Sequence, residues 1–215
     1  SVTNKERDFM RRTFVSLCTA CALLVSAQFA AAQQGSAEGS QPGYRAPKVV
    51  PGGSITIEKI DGLAGEGQLK AGQPITIHLR FTNKTGKAVA GFSNGFRIYS
   101  PDGATWKTVT TDTTGQLRRA KVDGGIFFVN FGVDGAGADT VGFGGFRIMQ
   151  EGIANEWSGV AFTITLGPID PAMAGKKICL DQSYFPPGGA WLWSLEDTSD
   201  NLPDWGGPYC FTIVK

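Results

Sequence analysis

Residues 74–81 read Pro-Ile-Thr-Ile-His-Leu-Arg-Phe, and this stretch decides the fold class. Every second residue from Ile75 to Phe81 is apolar, and the residues between them are polar. Successive side chains of a β-strand point to opposite faces of its sheet. The alternation therefore predicts a strand with one buried face and one solvent-facing side.

Similar short runs lie on both sides of this strand, and glycine-containing turns separate them. Glycine accounts for 30 of the 215 residues, and no stretch keeps a helical period. We therefore predict an all-β fold, an antiparallel β-sandwich of about ten strands. The run 126–131 is apolar on both faces and is predicted to be a central strand. The predicted strands span 55–57, 74–81, 95–99, 105–110, 126–131, 141–149, 160–166, 178–180, 190–195 and 209–214.

The N-terminal part of the chain has the pattern of a secretory signal peptide. Met10 is followed by two arginines, then by an apolar stretch, and the pattern ends in three alanines, 30–32. This predicts a signal peptide over residues 10–32, preceded by an upstream extension at 1–9. We expect a secreted protein, extracellular or periplasmic, with no membrane span after processing.

The mature chain is predicted to have two parts. Residues 33–53 are rich in Gly, Ser, Gln and Pro, which is typical of a flexible leader, and residues 54–215 form the β-sandwich domain. Removing residues 1–32 leaves 16 of the 20 basic and 17 of the 19 acidic residues. Such a near-neutral chain lacks the electrostatic basis for binding nucleic acid or anionic membranes.

Two of the four cysteines, Cys179 and Cys210, remain after processing. An exported protein oxidises its thiols, so we expect a disulfide between them, with two buried free thiols as the alternative. Core-facing Ile178 and Leu180 would turn Cys179 outward, and Cys210 is expected to turn outward for the same reason. The bridge is therefore predicted on the outer surface of a sheet, between neighbouring strands.

Aromatic residues near the C-terminus are the candidate ligand-binding set. Trp191 and Trp193 are two residues apart and share a face, and Tyr184 and Trp205 lie nearby in sequence. Exposed rings of this kind stack on sugars or anchor protein interfaces, whereas buried ones fill a sandwich core. Both interpretations stay open at this point.

A loop rich in acidic residues follows these tryptophans. Glu196, Asp197, Asp200 and Asp204 offer the oxygen ligands that Ca²⁺ prefers, although a calcium-loop motif is absent. The alternative is a solvated acidic loop. We expect no cofactor, with Ca²⁺ at this loop as a weak candidate.

Catalytic residues are not evident. The single histidine, His78, falls on the polar face of the strand at 74–81, where we interpret it as a satisfied surface residue. Nucleophile, zinc-protease and phosphate-loop motifs are missing from the sequence. We predict that the protein is not an enzyme.

Several motifs resemble secreted cohesin-like and related immunoglobulin-like sandwiches. These are 71–76 (AGQPIT) with 81–86 (FTNKTG), and 160–164 (VAFTI) followed by 174–178 (AGKKI). Other blocks resemble uncharacterised exported bacterial proteins: 94–106 (NGFRIYSPDGATW), 138–146 (ADTVGFGGF), 178–193 (ICLDQSYFPPGGAWLW) and 205–212 (WGGPYCFT). The resemblance implies a sandwich over residues 54–214 and a secreted, non-catalytic role, and it supplies no site residues.

These observations predict a protein that acts by contact. We expect extracellular assembly, surface attachment or adhesion, with a protein partner or self-association in which the leader pairs with a neighbour's open sheet edge. The alternative is a carbohydrate-binding module that uses exposed tryptophans on a polysaccharide.

Overall fold

The computed structural model describes residues 48–114, 129–131, 138–146, 152–183 and 191–215. All of them lie in the compact unit that spans Ala46–Lys215. The predicted upstream extension, the signal peptide and most of the leader therefore lie outside the described residues. Within the described ranges, no helix is long and apolar enough to cross a membrane.

The described residues form fourteen β-strands and one short 3-10 helix, Pro171–Met173. The strands make two sheets that enclose one apolar core, which confirms the predicted β-sandwich. In chain order the strands are β1 (Gly53–Asp61), β2 (Leu63–Gly65), β3 (Gln68–Lys70), β4 (Ile75–Asn83), β5 (Val89–Tyr99), β6 (Val109–Thr113), β7 (Val129–Phe131), β8 (Ala138–Phe146), β9 (Ser158–Leu166), β10 (Lys177–Ser183), β11 (Leu192–Leu195), β12 (Asp200–Asn201), β13 (Asp204–Trp205) and β14 (Tyr209–Val214).

Sheet I contains five strands in the order β13-β1-β4-β9-β6, so β4 lies at its centre. Ile75, Ile77, Leu79 and Phe81 of β4 are all buried, and the residues between them are half-buried. The alternation predicted for this strand is therefore confirmed. The pairings in sheet I are antiparallel except for a two-residue parallel contact between β1 and β13.

Sheet II contains nine strands arranged around β5. One edge of β5 pairs with β8, and its other edge pairs first with β11 and then with β10. β10 continues to β14, which pairs in parallel with β3. Among the described strands, β7 pairs only with β8. The run 126–131 was predicted to be a central strand; its described part, β7, pairs with β8, and residues 126–128 lie outside the described ranges.

Aromatic rings from both sheets meet in the core. The Phe81 ring centroid lies 4.8 Å from that of Phe162, 4.8 Å from that of Trp193 and 5.5 Å from that of Phe92. Phe143 of sheet II stacks on Phe162 of sheet I at 4.1 Å. Burying each large side chain stabilises the fold by about 1.5–3 kcal/mol, so this cluster contributes strongly to holding the sheets together.

A disulfide joins Cys179 of β10 to Cys210 of β14, which are directly opposite in the antiparallel register. The bridge lies between neighbouring strands, as predicted. Both cysteines were predicted to point outward from the sheet; Cys210 is exposed, whereas Cys179 is buried but does not join the apolar core cluster that contains Ile178 and Leu180. Cys179 lies on the middle strand of three, and Tyr99 of β5 is its register neighbour on the other side.

The folded domain begins before the predicted boundary at residue 54. Val49 forms a parallel bridge with Asp200, and the Val50 amide donates to the Asp200 carbonyl at 2.8 Å. Gly53 is already part of β1. The leader assigned to residues 33–53 is therefore too long at its C-terminal end, because residues 48–53 pair with the domain.

Candidate functional site

The predicted ligand-binding aromatic residues do not form one exposed surface. Trp193 is 1% exposed and packs on Phe81, and its Nε1 donates to Asn94 Oδ1 at 3.0 Å. Trp193 therefore belongs to the core, and its assignment as an exposed ligand-binding residue is wrong. Its position on β11 turns it between the sheets rather than towards solvent. Tyr184 lies outside the described residues.

Trp191 and Trp205 are half-buried at the margin of the core. Their rings make edge contacts with buried Phe96 at 5.3 and 5.5 Å and with each other at 5.8 Å. Trp191 Nε1 donates to the Pro203 carbonyl at 2.6 Å, and Trp205 Nε1 donates to Asp181 Oδ1 at 3.0 Å. Both indole N–H groups are thus bonded within the domain, and the rings pack against the core rather than forming a flat external platform.

The predicted calcium-binding loop makes contacts of its own. Asp197 pairs with Lys87 and accepts hydrogen bonds from the hydroxyl and amide of Ser199. The hydrogen bond from Lys87, followed by that from Ser199, holds the pKa of Asp197 well below its ordinary value. Glu196 Oε1 accepts from the Ala88 amide at 3.2 Å. These contacts attach the β11–β12 turn to the start of β5.

The other two acidic candidates make different contacts. Asp200 Oδ1 accepts from Ser194 Oγ at 3.4 Å, and burial raises the pKa of Asp200. Asp204 is an exposed residue of β13 at the edge of sheet I. In the part of the chain that the structure describes, no three His, Cys, Asp or Glu side chains converge in a way that could hold a metal ion. The structure therefore does not assemble Glu196, Asp197, Asp200 and Asp204 into one site.

A mainly polar surface lies on the outside of sheet I, on the side of that sheet facing away from the core. Its polar side chains come from β1, β4, β9 and β6, and many of them are hydrogen-bonded to each other across strands. We call this surface the polar face. It consists of Thr56, Glu58, Lys59, Asp61, Thr76, His78, Arg80, Thr82, Thr110, Asp112, Ser158, Thr163 and Thr165.

His78 lies in the middle of the polar face. Its Nε2 is 2.7 Å from Asp61 Oδ2, and Lys59 Nζ donates to Asp61 Oδ1 at 3.0 Å. The hydrogen bond from Lys59, followed by that from His78, lowers the pKa of Asp61. Thr163 is the register neighbour of His78 on β9. The histidine therefore has a carboxylate partner at the surface, in agreement with its interpretation as a satisfied surface residue.

Arg80 connects β1, β4 and β9 across the polar face. Its Nη2 donates to Glu58 Oε1 at 2.7 Å, its Nε donates to the other carboxylate oxygen, and its Nη1 donates to Ser158 Oγ at 3.0 Å. This two-point pairing lowers the pKa of Glu58 and raises that of Arg80. A planar guanidinium that meets a carboxylate in this way fixes geometry as well as charge.

Hydroxyl groups complete the network. Thr76 Oγ1 and Thr165 Oγ1 are 3.0 Å apart, as are Thr82 Oγ1 and Ser158 Oγ. Side chains already held in place lose little conformational freedom when a partner docks. The polar face is therefore suited to recognition by contact.

Glu58 and Asp61 were not singled out by the sequence, because the first strand was predicted only around residues 55–57. In the structure β1 continues to Asp61 and contains a bulge between Ile57 and Lys59. The bulge places Glu58 beside Arg80, and the extended strand brings Asp61 to His78. The charged residues that follow Ile57 are the sequence feature that could have indicated a longer strand.

No family model and no curated protein matches the chain, but solved structures do. The seventh ScaB type I cohesin from Pseudobacteroides cellulosolvens is 14% identical, with a TM-score of 0.50 over 77% of this chain and 94% of the cohesin. The sixth cohesin of Acetivibrio cellulolyticus scaffoldin B, solved with a mutant Cel5 dockerin, is 12% identical, with a TM-score of 0.47 over 71% and 93%. The OlpA cohesin from Clostridium thermocellum, solved in complex with Doc918, is 15% identical, with a TM-score of 0.46 over 75% and 94%. The first of these matches confirms the resemblance seen in the sequence: this chain has a cohesin-like β-sandwich fold.

Proposed function

We propose that this protein is a non-catalytic, exported module that joins another protein in an extracellular assembly or attaches to it at a surface. The observation that carries the proposal is the cohesin-like fold, whose match spans 77% of this chain and 94% of the ScaB type I cohesin. Cohesins are modules of protein–protein assembly, so a shared fold favours the same kind of role.

Export is supported by two independent features. Residues 10–32 have the pattern of a signal peptide, and the domain contains the Cys179–Cys210 disulfide. Disulfides persist in oxidising compartments and are rare in the cytosol. The proposed location is therefore extracellular or periplasmic.

The polar face is the candidate contact surface. It presents charged and hydroxyl groups from four strands, and His78, Arg80 and Thr163 lie in its interior rather than at its margin, because β6 lies beyond β9. A partner with a complementary polar surface would meet donors and acceptors that are already oriented, which favours specific recognition.

The carbohydrate-binding alternative lacks a structural basis in the three tryptophans predicted to carry it. Trp193 is in the core, and the N–H groups of Trp191 and Trp205 are bonded to Pro203 and Asp181. Sugar stacking needs exposed ring faces. We therefore propose a protein rather than a polysaccharide as the partner.

The proposal is tested with the mature chain, residues 33–215, immobilised and exposed to the secreted proteins of the organism that encodes it. Retained proteins are identified by mass spectrometry, purified, and measured again with the mature chain by calorimetry. We expect a defined complex between purified proteins that Thr163→Arg weakens at least tenfold, because the larger cation occupies the middle of the polar face.

Lys84→Glu serves as a control for a charge change away from the polar face, since Lys84 is an exposed cation in the turn after β4. This control is expected to bind like the parent. The proposal fails if no purified protein binds, or if the chain is retained on insoluble cellulose or chitin instead.

A further inference from the structure

Among the described strands, none pairs with the outer edge of β1 over six residues. β13 pairs with β1 only at Ser54 and Ile55, and the chain leaves the strand after Asp61 at Gly62, which has a φ of +95°. Between these limits, from Thr56 to Asp61, β1 has β4 on one side and no described strand on the other. An open edge presents unpaired backbone N–H and C=O groups that can pair with another strand.

The exposure pattern of this edge reads the same in both directions. Thr56, Glu58, Lys59 and Asp61 are exposed, whereas Ile57 and Ile60 are half-buried and pack against the core. The bulge between Ile57 and Lys59 produces this pattern, because it places two outward residues side by side at the centre. The segment is therefore symmetric about the point between Glu58 and Lys59.

Two copies of this edge have complementary side chains when a twofold axis relates them. A twofold axis placed at the bulge, where the regular alternation of the ladder is interrupted, brings Glu58 of one copy to Lys59 of the other and Ile57 to Ile60. Opposite charges and paired apolar side chains on adjacent strands favour association. Glu58 can accept a further hydrogen bond while paired with Arg80, because a carboxylate has about four acceptor positions.

The length of the open edge also allows two copies to pair. β13 bounds the segment at one end, and the turn at Gly62 bounds it at the other, so two copies can pair over Thr56–Asp61 without displacing either feature. We propose that this edge is a self-association surface, on which a second copy of the chain pairs antiparallel and joins two copies of sheet I into one sheet. The contact is isologous and closes at the dimer.

The proposal goes beyond the partner contact proposed above and does not depend on it. A six-residue edge is a small interface, so the dimer is expected to be weak and reversible. Sedimentation velocity of residues 33–215 should show the average mass rising from one copy towards two as concentration increases. In Lys59→Glu and in Glu58→Lys the average mass should no longer rise with concentration, because each variant places like charges opposite each other.

Mixing the two variants provides the decisive observation. The Lys59→Glu chain carries two neighbouring glutamates at the centre of its edge, and the Glu58→Lys chain carries two neighbouring lysines. In a mixed pair each glutamate faces a lysine, so both oppositely charged contacts return and the dimer should reappear. Lys84→Glu, with the same charge change as Lys59→Glu but away from the edge, should associate like the parent. Circular dichroism verifies that each variant is folded.

Three outcomes would overturn the proposal: a parent that stays a monomer at every concentration, variants that associate like the parent, and a mixture that stays monomeric. Dimerisation that disappears when residues 33–47 are deleted, but survives both charge variants, would assign association to the leader and also overturn it. A failed dimer with intact binding of a partner protein would leave the proposed function standing.

Discussion

The aromatic cluster around the C-terminal strands packs against the core, whereas the polar face lies on the outer side of sheet I. Sequence spacing alone does not show this difference. The tryptophans have the composition of a binding site, yet Trp193 is buried and the N–H groups of Trp191 and Trp205 are bonded within the domain. The polar face is built from ordinary alternating residues of the clearest strand and its neighbours, and its side chains lie on the outer side of sheet I. The orientation of a side chain relative to the two sheets therefore decides its role more than its chemical type.

The largest expected effect comes from truncating the interior tryptophan. Trp193→Ala removes the contact with Phe81 and leaves Asn94 Oδ1 without its donor. We expect a loss of about 3–5 kcal/mol in the free energy of unfolding, as for other large-to-small core substitutions. Denaturant unfolding measures it, and a change below about 1 kcal/mol would show that Trp193 is not a core residue.

A substitution with an intermediate effect on the free energy of unfolding tests the packing against the Trp193 ring. A Cβ on Gly53 would lie 2.0 Å from Asn201 Oδ1 and 2.7 Å from Trp193 Cζ3. Gly53→Ala should therefore cost about 1–3 kcal/mol through overpacking. Gly65→Ala is the matched control, because its Cβ would meet only the end of the Gln68 side chain at 3.3 Å. Equal melting temperatures for the two variants would contradict the close approach at Gly53.

A substitution on the polar face should weaken partner binding and leave the stability of the fold nearly unchanged. Thr163→Arg changes an outward, half-buried residue of β9 and should alter the free energy of unfolding by no more than about 0.5 kcal/mol. Its expected effect is on partner binding alone. Thermal melting compared with the parent checks this, and a strongly destabilised Thr163→Arg chain would mean that the position supports the fold.

The smallest expected effect is a pH dependence carried by Asp61. Lys59 and His78 hold the pKa of Asp61 below its ordinary value, so the ionised carboxylate favours the folded state at neutral pH. This contribution is present above the unfolded pKa of about 4 and is lost as the pH falls through the lowered folded value. Between pH 7 and pH 2 the parent should lose slightly more stability than Asp61→Asn. Superimposable curves of stability against pH would remove the role assigned to the Asp61 contacts.

Periodicity predicted the parts of the fold in which local pattern and burial coincide. β4 shows this best, since Ile75 to Phe81 alternate in sequence and in burial. The resemblance of the motifs at 71–86 and 160–178 to cohesin-like sandwiches was confirmed by the structural match. The opposition of Cys179 and Cys210 also followed from the strand pattern.

Features that depend on contacts distant in sequence could not be predicted. The pairing of Val49 with Asp200 joins a glycine- and proline-rich segment to a strand about 150 residues away, and composition alone marked that segment as a leader. The burial of Cys179 reflects its place between β5 and β14, which alternation within β10 does not reveal. The bulge in β1, which brings Glu58 to Arg80, is a property of the paired strands and leaves little trace in the sequence.

The contrast between the two regions is tested most directly by the affinity of the purified partner protein for two variants measured side by side. Trp191→Leu removes an aromatic ring from the cluster but keeps an apolar side chain, and Thr163→Arg changes the centre of the polar face. We predict that Trp191→Leu binds with the dissociation constant of the parent and that Thr163→Arg binds at least tenfold more weakly. Weakened binding by Trp191→Leu together with unchanged binding by Thr163→Arg would contradict the assignment of the contact surface.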